Sequence, residues 1–92
     1  MILTKHFRTR VTERLGASAD PDYIGRAIAW AIENQRQDLI EYLGRQDKHG
    51  LRVWRFRYPD GRFIRVIINH TANVAVTLFP EDSAKDKWPI PA

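Results

Sequence analysis

The sequence predicts an α+β domain: two or three helices packed on one face of a three- to four-stranded antiparallel sheet. Three observations carry that expectation. Apolar residues recur every three or four positions through the first part of the chain, and they alternate from Leu51 onward. Between two alternating runs, Tyr58-Pro59-Asp60-Gly61-Arg62 has the composition of a hairpin turn, with Pro early and Gly where φ must be positive. The 92 residues suffice for one domain, read as 1–80, with a tail at 81–92.

From Thr4 to Leu15, Phe7, Val11 and Leu15 fall at i, i+4 and i+8, with Thr4 as N-cap and Gly16 past the end. Beside this stripe His6, Arg10 and Arg14 also recur every four residues, so they stack along one helix face. Asp20-Pro21 is an N-cap followed by proline at the first helical position, and Ile24, Ala27, Ile28, Ala31 and Ile32 extend a second helix to about Gln35. Leu39, Ile40, Tyr42 and Leu43 before Gly44 fit a short third helix over 37–43 or a continuation of the second, and 45–50 reads as a loop. Strands of about 51–58 and 62–69 flank the hairpin turn, and a second turn at 70–73 leads to a strand at 74–79 that Pro80 ends. Ile2 and Leu3 are placed to add a short edge strand, while Trp88 and Ile90 give the proline-containing tail a means of docking.

A three-residue hairpin loop pairs Tyr58 with Arg62, Phe56 with Ile64, Arg55 with Arg65, Trp54 with Val66 and Val53 with Ile67. Pairing Ile68 with Val74 would then set Val66 against Val76, Ile64 against Leu78 and Arg65 against Thr77. The core face is Trp54, Phe56, Ile64, Val66, Ile68, Val74, Val76 and Leu78. The other face holds Arg55, Arg57, Arg65, Asn69 and Thr77, with Phe63, Ile67 and Phe79 among them. Opposed like charges cost roughly 0.2–1 kcal/mol, a cost that an anion bound between them would offset. Aromatic rings beside arginine are also what base stacking on single-stranded RNA requires. The competing reading is that these guanidinium groups lie in water or pair with Glu13, Asp60 or the acidic tail.

The net charge of +4 is unevenly spread: +3 over residues 1–16, −2 over 17–50, +4 over 51–79 and −1 over the tail. Eleven of the fifteen basic residues are arginine, whose planar fork holds phosphate bidentately. This favours RNA or another polyanion as partner, through Lys5, Arg14, Arg52, Arg55 and Arg57. With no cysteine there is no disulfide, thiolate zinc site or cysteine nucleophile. There is no glycine-rich phosphate loop and no histidine pair at metal spacing, so neither metal nor cofactor is expected. No apolar run approaches the ~18–20 residues of a bilayer span. The first residues lack the pattern of a secretory signal, so the expectation is a soluble, cytoplasmic protein with no membrane partner.

The chemistry left open is metal-independent RNA cleavage, in which the 2′-hydroxyl of the substrate is the nucleophile and the protein moves protons and stabilises phosphate charge. His6, among cations at the positive end of its helix, is placed for general-base work. Arg10 and Arg65 would neutralise the pentavalent phosphorus, and Thr77 would donate to a phosphate oxygen. His49 and His70 fall in expected loops, either one a candidate general acid. A non-catalytic module that binds RNA or an acidic partner through Arg52, Arg55, Arg57 and Arg65 is the second reading, and a phage or mobile-element accessory protein that blocks a host factor is the third.

His6-x-x-x-Arg10-x-x-x-Arg14 followed by Leu15-Gly16, then a second helix and a three-stranded meander ending in Val76-Thr77-Leu78, resembles small RelE-like ribonuclease domains. These belong to the superfamily that groups barnase, the EndoU nucleases, tRNA-cleaving colicins and the RelE toxins. The resemblance spans about residues 4–80. It implies a helix-plus-sheet domain that cleaves mRNA or tRNA without metal, as a toxin held in check by a cognate antitoxin or immunity protein. It also implies that His6, Arg10 and Thr77 match the active-site positions, with Arg14 in support. Two positions depart from it: Phe7 stands where small members often carry alanine, and the meander strands hold no acidic residue to act as the general base of barnase-like members.

Overall fold

The computed structural model describes residues 1–45, 50–59, 61–71 and 73–81. In chain order the elements are β1 (Ile2–Leu3), α1 (Lys5–Leu15), α2 (Pro21–Glu33), β2 (Ile40–Arg45), β3 (Leu51–Arg57), β4 (Phe63–Asn69) and β5 (Val74–Pro80). The class is α+β, with both helices on one face of a five-stranded sheet ordered β1-β5-β4-β3-β2. The sheet is mixed, because β1 runs parallel to β5 while the other pairs are antiparallel. It therefore has more strands than the sequence predicted, and it is not purely antiparallel.

Helix α1 starts where its cap dictates: the Thr4 hydroxyl accepts from the Phe7 amide at 2.9 Å, and Gly16 ends the helix at a φ of +103°. Asp20 caps α2 by accepting from the Asp22 amide at 3.0 Å. The two helices contribute Phe7, Val11, Ile24, Ile28 and Ala31 to a core completed by Ile40, Phe56, Ile64, Val66, Ile68, Ala75 and Leu78 of the sheet. Full burial of side chains of this size contributes about 1.5–3 kcal/mol each. Gly25 lets β1 pass close to α2, for a Cβ there would fall 2.7 Å from Leu3 Cδ2.

The expected third helix at 37–43 is instead strand β2. Gln35, at a φ of +53°, turns the chain after α2, and Arg36 clamps Asp38 through Nε at 2.9 Å and Nη2 at 2.7 Å. The segment then satisfies the free backbone edge of β3, burying Ile40 and packing Tyr42 against Trp54 with ring centroids 5.0 Å apart and planes tilted by 57°. A helix there would leave both the β3 edge and Ile40 without these partners.

The β3–β4 register is as expected, from Arg57 with Phe63 to Leu51 with Asn69, and Arg55 does oppose Arg65. The β4–β5 register is not. Arg65 faces Phe79 rather than Thr77, Thr77 faces Ile67, Val66 faces Leu78, and a bulge separates Ala75 from Thr77. Ala75, not Val74 or Val76, enters the core. The physical reason lies in β1 and its neighbour: Thr4 N donates to Ala75 O at 3.1 Å and the Thr4 hydroxyl donates to Val76 O at 2.9 Å, which ties the bulge to the start of α1. Among the described residues no helix is long and apolar enough to cross a membrane.

Candidate functional site

Alternation along β3, β4 and β5 puts Arg55, Arg57, Phe63, Arg65, Ile67, Thr77 and Phe79 on the face away from the helices. Arg55 sits at its centre. Its cross-strand neighbour on β2 is Glu41, which accepts from Arg55 Nε at 3.1 Å and also from Nη2. Glu81, the residue after β5, lies on the same face, and its Oε1 accepts from Arg55 Nη1 at 3.1 Å and stands 3.5 Å from Arg65 Nη2. The Arg55 guanidinium lies 5.0 Å from the Phe63 ring centroid. The Glu41 hydrogen bonds make the Arg55 guanidinium still harder to deprotonate than an ordinary arginine.

Two opposed arginines are thus held together by two carboxylates, one on each flank. The cluster is not closed, however. Arg65 Nε, Thr77 Oγ1 and Glu81 Oε2 are buried and have no hydrogen-bond partner among the described residues. Thr77 is only 7% exposed, and the Arg65 side chain only 16%. A buried polar group left unpaired costs about 1–3 kcal/mol, and native folds keep few of them. Two donors and one carboxylate oxygen on a single face are groups that can grip a phosphodiester and take a proton from a hydroxyl beside it.

The four residues read from sequence as catalytic divide into two pairs. His6 and Arg10 are together on α1, where Arg10 Nε donates to His6 Nε2 at 3.3 Å and Arg10 Nη1 pairs with Glu13 at 2.6 Å. Arg65 and Thr77 occupy the opposite face, with the sheet and its core between the pairs. Of the residues read as RNA-binding, Lys5 and Arg14 are exposed on α1. Arg55 and Arg57 belong by alternation to the face away from the helices, and Arg52 falls on the helix side, level with Ile68. His70 is exposed, while His49, Asp60, Trp88 and Ile90 lie outside the described residues.

Glu41 and Glu81 are the site residues that the sequence reading missed as such. Glu41 was hidden by the helical reading of 37–43, and Glu81 by the boundary drawn at residue 80. The signal for Glu81 was the acidic tail, already a candidate partner for the arginines. Both carboxylates lie beside the meander strands, which carry no acidic side chain of their own. Compared with known protein families, curated proteins and solved structures, the chain matches none.

Proposed function

We propose that the protein is a metal-independent, toxin-like endoribonuclease that cleaves mRNA or tRNA on the face of the sheet away from the helices. The observation that carries this reading is Glu81, bracketed by Arg55 and Arg65, with Glu81 Oε2, Arg65 Nε and Thr77 Oγ1 buried beside it and without a hydrogen-bond partner among the described residues. In the proposed reaction Glu81 takes the proton of the 2′-hydroxyl as the 2′-oxygen attacks phosphorus. The bond from phosphorus to the 2′-oxygen forms and the bond to the 5′-oxygen breaks, the 5′-oxygen leaves with a proton from water, and the hydroxide so formed takes up the proton held by Glu81. The products are a 2′,3′-cyclic phosphate and a 5′-hydroxyl. Arg65 and Arg55 neutralise the non-bridging oxygens, and Thr77 donates to one of them. Glu41 keeps Arg55 in place when a phosphate displaces Glu81 from it. His6 and Arg10, on the other side of the sheet, take no part in this step. A toxin of this kind would be held in check by a cognate antitoxin or immunity protein, for which the same basic face is the natural target.

A second reading, a non-catalytic RNA- or protein-binding module, is favoured by one observation: the two arginines at the centre are already balanced by Glu41 and Glu81. One experiment separates the two. The purified protein is incubated with total tRNA and a labelled mRNA in EDTA, and fragments and their 3′ ends are read. Cyclic-phosphate ends that disappear in Glu81→Gln support the enzyme. Intact RNA that co-elutes with the protein at low salt puts the binding module in its place.

A further inference from the structure

Between α2 and the hairpin end of the sheet lies a cavity of about 450 Å³, a size that suits a small planar ligand. Tyr23, Trp30, Phe56 and Tyr58 supply aromatic walls, and Asp38 and Arg57 are its charged groups. Tyr23 and Trp30 remain 56% and 48% exposed, so their rings are not committed to the core. Asp38 is an acceptor only: the hydrogen bonds from Arg36, helped more weakly by the charge of Arg57, hold its carboxyl below the ordinary carboxylate range. Its two oxygens keep lone pairs beyond those that Arg36 uses.

The surroundings are basic. The Arg36 guanidinium lies 5.1 Å from the Trp30 ring centroid and that of Arg62 5.7 Å from Tyr58. Arg57 pairs in register with Phe63, whose ring is beneath Arg55, so the cavity and the Glu81 cluster lie at the same end of the sheet, the cavity on its helix face and the cluster on the other. Aromatic walls accept the flat face of any base, but a carboxylate discriminates. It accepts from the exocyclic amino group of cytosine, adenine or guanine, and it repels the carbonyl-flanked edge of uracil. Arginines at the rim match the phosphates on either side of such a base.

We infer that this cavity holds one unpaired, amino-bearing base of a single-stranded RNA whose backbone rounds the hairpin end of the sheet, past Arg57, from the Arg55–Arg65 face. The inference rests on the RNA reading above and adds to it a site that selects the base. The test uses fluorescein-labelled 2′-O-methyl hexamers of C, A and U, which lack a free 2′-hydroxyl and stay intact, titrated by anisotropy into the full chain. The C and A hexamers are expected to bind about 5- to 150-fold more tightly than the U hexamer. Trp30→Ala should weaken the C hexamer about tenfold or more, and Tyr23→Ala, at an equally exposed position, repeats the test should Trp30→Ala fail to fold. Asp38→Asn, whose amide both donates and accepts, should erase the discrimination by strengthening the U hexamer. Equal affinities in the unmodified protein, or full affinity in both aromatic variants, would overturn the inference. Cytidine monophosphate bound as tightly as the C hexamer would replace the strand with a free nucleotide. Base-blind binding that Arg65→Gln removes would sink the cavity alone, whereas no binding of any hexamer would sink the RNA reading with it.

Discussion

Glu81→Gln keeps the shape of the side chain and removes its charge, so it tests the ion cluster and the chemistry at once. In the native chain Glu81 Oε1 serves Arg55 at 3.1 Å and Arg65 at 3.5 Å. Without it, Arg55 retains Glu41 but Arg65 has no carboxylate among the described residues, and the two guanidinium groups still oppose each other. Opposed like charges cost about 0.2–1 kcal/mol, and a partly exposed ion pair contributes a similar amount. The expected loss is therefore about 0.4–2 kcal/mol, or roughly 2–15 °C in Tm for a domain of this size. Because the groups are partly exposed, the difference should shrink as salt is raised from 0.1 to 1 M. Binding of uncleavable RNA should tighten, since phosphate no longer competes with the carboxylate, and its salt dependence should steepen by about one phosphate contact. Cleavage should slow by about 10²–10⁴. Thermal melts in two salt concentrations, anisotropy with a 2′-O-methyl strand and single-turnover cleavage in EDTA read the three effects. Cleavage at the wild-type rate would refute Glu81 as general base, and a melting temperature unchanged at both salts would refute the ion cluster itself.

Three further predictions use the rest of the fold. His6→Ala should leave cleavage unchanged, because His6 hydrogen-bonds to Arg10 on the far side of the sheet; loss of cleavage with the melt intact would return the base to α1. Thr4→Val removes both bonds of one hydroxyl, the cap on Phe7 N and the bond to Val76 O, and should cost about 2–3 kcal/mol in urea unfolding, while Thr4→Ser should restore most of it. Arg8, by its hydrogen bond above all, holds the Asp22 carboxyl below its ordinary value. That pair therefore stabilises fully above about pH 4 and is lost as pH falls through the lowered value. Asp22→Asn should flatten the decline of the urea midpoint between about pH 5 and pH 2, and an identical decline would count against the pair.

What was legible in the sequence was local. Thr4, Asp20-Pro21 and Gly16 mark helix ends through chemistry contained in a few residues, and the helices begin and end there. The 58–62 turn fixes its own loop length, so the β3–β4 register and the Arg55–Arg65 opposition followed from it. What was not legible depended on distant partners. Ile40 to Leu43 carries apolar residues in an order that suits either period, and the open edge of β3 decides in favour of a strand. The bulge before Thr77 depends on the Thr4 hydroxyl, 72 residues away from Val76 in sequence. Each of these errors moved a residue of the site: the first hid Glu41, and the second paired Thr77 with Arg65 instead of with Ile67.

The cluster on the face away from the helices is also more informative than a row of cations would have been. An arginine pair balanced by Glu41 alone, or by Glu81 through both oxygens, would be a closed structural network with nothing left to bind. Instead Glu81 uses one oxygen for both arginines and keeps the other buried and, among the described residues, unpaired, with a guanidinium nitrogen and a hydroxyl of the same face in the same condition. Three such groups, at about 1–3 kcal/mol each, are a large fraction of the stability expected for a domain this small. The β4–β5 pairing that places Thr77 two residues before Phe79, and Glu81 two residues after it, aligns all three along one strand face. A ligand offering one anion and one proton would satisfy them together, and a phosphodiester beside a 2′-hydroxyl is such a ligand. On this argument the strain of the unbound face and the chemistry proposed for it have the same origin, and Thr77→Val should stabilise the free protein while weakening its hold on RNA.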